Sequence, residues 1–244
     1  MPASRSSRRA DMAAQPTCFH EADPRLALWR RAGVEGLGTF ALVLAATGSG
    51  IAAARVFAAQ PGMILPVTAV AIAAALVGLI VALGSVSGGH YNPLITLLQW
   101  LGRERSGVCT IAYVAAQLVG GTLGGAAAAA LWGGPNGSTG GLGWHGVGGE
   151  LVASAGLMLV VFGCMRSGRT DTGPFAVGAW LVSDIIATPT AAYANPAVVF
   201  GALVTNGPLH LATGSAVPYL LGEALGALVA FGLIHTFFRA GSAA

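Results

Sequence analysis

The chain has 244 residues, of which 55% are hydrophobic and 9% charged, with a mean hydropathy of +0.72. An ordinary soluble domain carries about 25% charged residues, so this composition excludes most soluble enzymes and leaves a membrane protein. The formal charge of +3 comes from twelve arginines and no lysine; their placement across loops matters more than their sum, and nucleic acid is not an expected partner.

Residues 1–30 are polar and rich in Arg and Ser, and they lack the run of about 7–15 apolar residues of a signal peptide. They read as a cytoplasmic tail. Apolar stretches follow at 32–54, 64–87, 108–132, 147–165, 174–188 and 216–238. A membrane-spanning helix takes about 20 residues, so six crossings are predicted, the fifth being the shortest. Two more apolar pieces, 92–101 and 195–205, hold about ten residues each, and ten helical residues rise about 15 Å, half of a hydrocarbon core. These two are predicted to enter the membrane without crossing it. Cys18, Cys109 and Cys164 are an odd number without metal-ligand spacing. Neither a disulfide nor a metal or other cofactor is expected.

The arginines fix an orientation. With the tail inside, Arg5, Arg8, Arg9, Arg25, Arg30, Arg31, Arg103, Arg105, Arg166, Arg169 and Arg239 all fall on the cytoplasmic side, and Arg55 alone falls outside. Positive charge collects on the cytoplasmic side of membrane proteins. The expectation is a multi-pass protein of the inner (plasma) membrane with both termini in the cytoplasm. The Gly-rich stretch 133–146, with a sequon at Asn136-Gly137-Ser138, is then an external linker.

That linker divides two similar halves. Residues 31–132 carry Glu35-Gly36-Leu37-Gly38, then His90-Tyr91-Asn92-Pro93-Leu94, then Gln117-Leu118-Val119-Gly120; residues 147–240 carry Glu150-Leu151-Val152-Ala153, then Tyr193-Ala194-Asn195-Pro196-Ala197, then Glu223-Ala224-Leu225-Gly226. The offsets are 115, 103 and 106 residues. Three spans per half make the second copy enter from the opposite face, an inverted repeat in which half-helices meet at the midplane. Asn-Pro suits the start of such a half-helix: Asn caps free backbone N–H groups, and Pro at the first position gives up an N–H that had no partner. Two positive helix ends facing each other resist cations, while a neutral hydrogen-bonding solute passes. The glycine pairs Gly120/Gly124, Gly121/Gly125 and Gly222/Gly226 have the spacing of closely packed helices.

Ser87-Gly88-Gly89-His90-Tyr91-Asn92-Pro93 and Ala194-Asn195-Pro196-Ala197, in a duplicated six-span chain, resemble the aquaporin and glycerol-facilitator family over about residues 30–240. The resemblance implies an all-α membrane fold of six transmembrane helices plus two re-entrant half-helices. It also implies a homotetramer in the lipid bilayer with one pore per subunit, and passive conduction of small neutral solutes rather than catalysis. Asn92, Pro93, Leu94, Asn195, Pro196 and Ala197 would form the central constriction. Glu35 and Glu150 match the glutamates that hold the re-entrant loops, and a carboxylate inside a span is costly unless hydrogen-bonded. His90 would brace a loop or narrow the cytoplasmic vestibule.

In that family an outer filter of four residues stands twenty before the first motif Asn and twelve before, three before and three after the second, here Ile72, Ser183, Ala192 and Val198. The last is normally arginine. Without its charge the ring is wider and less polar, and the pattern is similar to bacterial aquaglyceroporin-like proteins associated with arsenic resistance. Water, glycerol-like polyols and arsenite or methylated arsenicals are then the expected solutes. The alternatives are a water-selective pore narrowed by Tyr193 or by Leu94, which replaces the usual Ala, and a coupled transporter using Asp184 and Glu223.

Overall fold

The computed structural model describes residues 25–133 and 141–238. Most of the tail, including Arg5, Arg8, Arg9 and Cys18, lies outside them, as do the sequon at Asn136 and Arg239. Among the described residues there are eight α-helices and no strand: α1 (Leu28–Val56), α2 (Ile64–Ser87), α3 (Pro93–Leu101), α4 (Gly107–Trp132), α5 (Gly146–Arg166), α6 (Gly173–Ala187), α7 (Pro196–Ala202) and α8 (Thr213–Phe237). Single 3-10 turns at Pro61–Met63 and Gly143–His145 precede α2 and α5.

Helices α1, α2, α4, α5 and α8 are long and apolar enough to cross a membrane. Helix α6 has 15 residues, a rise of roughly 22 Å, less than the roughly 30 Å hydrocarbon core. The half-helices α3 and α7 have nine and seven residues. The second therefore stops at Ala202 and not near 205, because the chain turns through Thr205-Asn206-Gly207-Pro208 and the Leu211 N–H returns to the Ala202 carbonyl at 2.9 Å. Gly88 ends α2 in the left-handed region, φ 99°, where the lack of a Cβ removes the strain.

Packing repeats between the halves. Helix α1 lies against α4 and α2, and α5 against α8 and α6; each half-helix also packs on the last helix of the other half, α7 on α4 and α3 on α8. Glycine makes these approaches close. A Cβ on Gly120 or Gly124 would fall on the α1 carbonyls of Gly36 and Phe40, and one on Gly222 or Gly226 on the α5 carbonyls of Val147 and Leu151. Gly121 and Gly125 do the same for α7, against Ala197 and Gly201.

The described arginines separate by end. Arg31 and Arg105 both reach the Cys109 sulfur, at 3.9 and 3.0 Å, and Arg166 pairs with Glu104, which puts the start of α1, the α3–α4 turn and the end of α5 at one end. Arg55 is at the other end, donating to the Trp132 carbonyl at 2.6 Å.

Candidate functional site

Each half-helix starts at Asn-Pro, and each Asn spends its side-chain oxygen on its own helix. Asn92 Oδ1 accepts the Leu94 N–H at 2.9 Å, and Asn195 Oδ1 accepts the Ala197 N–H at 3.0 Å. That turns the amide nitrogens toward the opposite loop. Asn92 Nδ2 donates to the Ala194 carbonyl at 2.8 Å, and Asn195 Nδ2 donates to the Tyr91 carbonyl at 2.9 Å. An amide nitrogen has two hydrogens, so one N–H of each is left for the cavity that both asparagines line.

The two accepting residues are themselves strained. Tyr91 and Ala194 have φ of 47° and 46°, a left-handed backbone that costs a non-glycine residue of order 1–3 kcal/mol unless its surroundings impose it. Here they do. The Tyr91 N–H donates to Glu35 Oε2 at 2.7 Å and the Ala194 N–H to Glu150 Oε2 at 2.7 Å. Each strained residue is thus held at its N–H by its own half and at its carbonyl by the other.

Glu35 and Glu150 are fully buried and accept these loop N–H groups from within the core. Glu35 also accepts from Ser87 Oγ at 2.7 Å, the His90 N–H at 3.0 Å and Gln117 Nε2 at 2.7 Å. Glu150 also accepts the Tyr193 N–H at 3.1 Å, and the Thr190 hydroxyl stands beside it. A third buried carboxyl, Glu223, accepts the Asn195 N–H at 2.9 Å. Sequence reading left Glu223 among candidate coupling acids, although its place opposite Gln117 in the repeat was the signal for this role.

Between these loops runs a cavity of about 60 Å³, room for a short file of waters, since one water needs roughly 10–15 Å³. Its walls are mostly aliphatic, with Leu76 and Ile80 of α2, Leu157 and Val161 of α5, and Leu181 and Ile185 of α6, against the polar His90, Asn92, Asn195 and Tyr193. Of the four predicted filter residues, Ile72, Ala192 and Val198 line it. Ser183 does not: it is exposed, and its hydroxyl donates to the Ala179 carbonyl at 3.3 Å. Helical residues turn about 100° each, so Ser183 stands about 200° from both Leu181 and Ile185, which face the cavity. Leu94 is also absent from the walls. It is buried in the core, and the next residue, Ile95, faces the cavity instead. Pro93 and Ala197 are buried and Pro196 half-buried, all three behind the walls rather than on them.

His90 lines the cavity and is held from behind, with Nδ1 2.9 Å from Thr96 Oγ1 and Nε2 3.4 Å from Arg105. Tyr193 lies between this cavity and an outer one of about 380 Å³, lining both. Its hydroxyl is fixed to the Leu209 carbonyl at 2.8 Å and its ring stands edge-on to Tyr219. Asp184 is buried with Oδ2 unpartnered, and the loop's bonds at that point, from Thr188, go to the Asp184 backbone carbonyl.

Two half-helices exchanging Asn amides across a lined cavity agree with what sequence comparison finds: a profile of the major intrinsic protein family matches residues 24–191. The chain belongs to that family. The matched stretch ends before Asn195, so the second half of the site rests on the structure. Aquaglyceroporin AqpS of Rhizobium meliloti is 32% identical over 214 residues, 85% of this chain and 90% of that protein. Aquaporin Z of Photorhabdus laumondii is 34% identical over 193 residues, 69% of this chain and 80% of that protein. The X-ray structure of the aquaglyceroporin from Plasmodium falciparum superimposes with a TM-score of 0.66 at 17% identity, covering 85% of this chain and 96% of that one. This major intrinsic protein is therefore an integral membrane channel of the aquaporin and glycerol-facilitator family, with that family's all-helical fold, and not an enzyme.

Proposed function

We propose that the channel passes small neutral solutes passively: water, glycerol-sized polyols and arsenite, which is an uncharged trihydroxide near neutral pH. The observation that carries this reading is the outer ring. Ile72, Ala192 and Val198 bring neither a charge nor a side-chain donor to the cavity, so entry depends on size and dehydration. Ser183 is not among the residues that line the cavity, whereas Ile185 on the same helix is. Farther in, the Asn92 and Asn195 amides offer donors to a passing hydroxyl, and the two opposed helix starts disfavour cations. In this reading the protein is a homotetramer with a pore in each subunit, set in the inner membrane with both termini in the cytoplasm. The arginine-rich end of the molecule faces inward.

Stopped-flow light scattering on proteoliposomes, with water, glycerol and arsenite on one preparation, tests it. The expected result is flux of all three that uncouplers do not alter. Uncoupler-sensitive flux would instead support a coupled transporter. A second reading, a water-selective pore, is favoured by Tyr193, which lines both cavities and is held by its hydroxyl on the Leu209 carbonyl. Fast water flux with no glycerol or arsenite flux would decide for it.

A further inference from the structure

We propose that Glu223 works as a neutral carboxylic acid whose O–H does for Glu150 what the Gln117 amide does for Glu35, making it a positioning residue for the second re-entrant loop.

The reasoning is a count of donors. In the first half one carboxylate receives four donors, from Ser87, His90, Tyr91 and Gln117, and both of its oxygens are used. In the second half the residue in the place of Gln117 is Glu223, so two carboxyls share three backbone donors, the N–H groups of Tyr193, Ala194 and Asn195, with the Thr190 hydroxyl as the side-chain donor beside Glu150. Ala194 donates to Glu150 and the next residue, Asn195, to Glu223, so adjacent peptide groups hold the two carboxyls side by side. Both are fully buried, and Glu223 Oε2 has no hydrogen-bond partner among the described residues.

Two buried like charges held by adjacent peptide groups oppose each other, and one proton removes the repulsion. Among the described residues no cation takes its place: α6, α7 and α8 contain no arginine or lysine, and Arg166 is sixteen residues beyond Glu150, roughly 24 Å along α5. The other titratable groups facing the pair are Asp184, Tyr193 and Tyr219, which add no positive charge. A proton on Oε2 supplies the missing donor. Gln117 Nε2–H to Glu35 Oε2, at 2.7 Å, is the bond it reproduces. With Oε1 occupied by the Asn195 N–H, Glu223 then ties the pore asparagine to the carboxylate that holds Ala194 in its left-handed form.

The test uses the full-length protein in lipid. Glu223→Gln keeps the shape, the acceptor for Asn195 and a donor for Glu150, so water permeability and thermal stability stay within about twofold of wild type. Infrared difference spectra between wild type and this variant then show loss of a protonated carboxylic-acid carbonyl band. Glu223→Ala removes both bonds and shifts the folded-to-unfolded ratio by roughly 5-fold to 30-fold. The reciprocal Gln117→Glu adds a protonated-acid band. The proposal is overturned if the band persists in Glu223→Gln, or if Glu223→Gln loses stability or permeability to the same degree as Glu223→Ala. A neutral amide that cannot replace the residue means that Glu223 acts as a charge.

Discussion

The two re-entrant loops reach the same backbone shape from different chemistry. Tyr91 and Ala194 match in φ within a degree, and each gives its N–H to a glutamate and its carbonyl to the opposite asparagine. Behind the first loop one glutamate gathers four donors, two of them side chains. Behind the second, two glutamates divide three backbone donors. The fold therefore constrains the position of the donors and acceptors that the pore uses, and leaves the supporting side chains free to differ. It also makes the first loop dependent on a single residue, while the second has its support spread over two.

The largest expected effect follows from that inequality. Glu35→Ala removes the acceptor of two loop N–H groups and two side-chain donors, and Glu150→Ala that of two loop N–H groups and the Thr190 hydroxyl, at about 1–3 kcal/mol for each buried group left without a partner. Folded yield in detergent should fall for both and fall further for Glu35→Ala. Equal loss in the two variants would break the comparison. Next are the glycines that bring the helices together. Gly120→Ala and Gly222→Ala each place a methyl on a facing carbonyl and should cost about 1–3 kcal/mol in thermal unfolding, the usual penalty for overpacking. Gly148→Ala, with open space at its Cβ, should gain up to about 1 kcal/mol from helix propensity.

Selectivity changes should be smaller in free energy and clearer in sign. Val198→Arg adds donors and a charge beside Ala192 and should raise the ratio of water to glycerol permeability in proteoliposomes. An unchanged ratio would locate the barrier elsewhere, at Tyr193. The smallest effect belongs to α6. Ser183→Ala should leave solute preference and stability within about 0.5 kcal/mol of wild type, as for other exposed positions away from special features. Ile185→Phe, two residues on, should slow glycerol flux.

Much of this was legible in the chain itself. Six apolar stretches, two Asn-Pro helix starts and the paired glycines follow from residue type and spacing, because membrane insertion and helix capping are local rules, while the bracing role of the glutamates at 35 and 150 came with the family resemblance. The failures share a cause. Assigning Ser183 to the pore required a count of twelve residues through the loop 188–194, whose path includes left-handed Ala191 and Ala192 at φ 59° and 45°, and such a path cannot be read from residue names. Leu94 was expected at the constriction because it stands where the family's motif has its third residue, but it is a 100° turn from Ile95, and Ile95 is the one that lines the cavity. Glu223 was visible in the repeat and passed over, because an acid inside a span draws attention to coupling before hydrogen bonding.

The reciprocal grip between the loops also bears on how such a protein can be made. The Tyr91 carbonyl is capped by a residue that is 104 positions later in the chain, and the Ala194 carbonyl by one 102 positions earlier. When the first three crossings leave the ribosome, their loop has its carboxylate brace but not its clasp, and a strained peptide carbonyl waits at membrane depth for the second half. A first half expressed alone should insert yet stay labile to protease at 88–92. Supplied in trans, the second half should protect it, which makes completion of the pore an event of assembly between two inserted pieces.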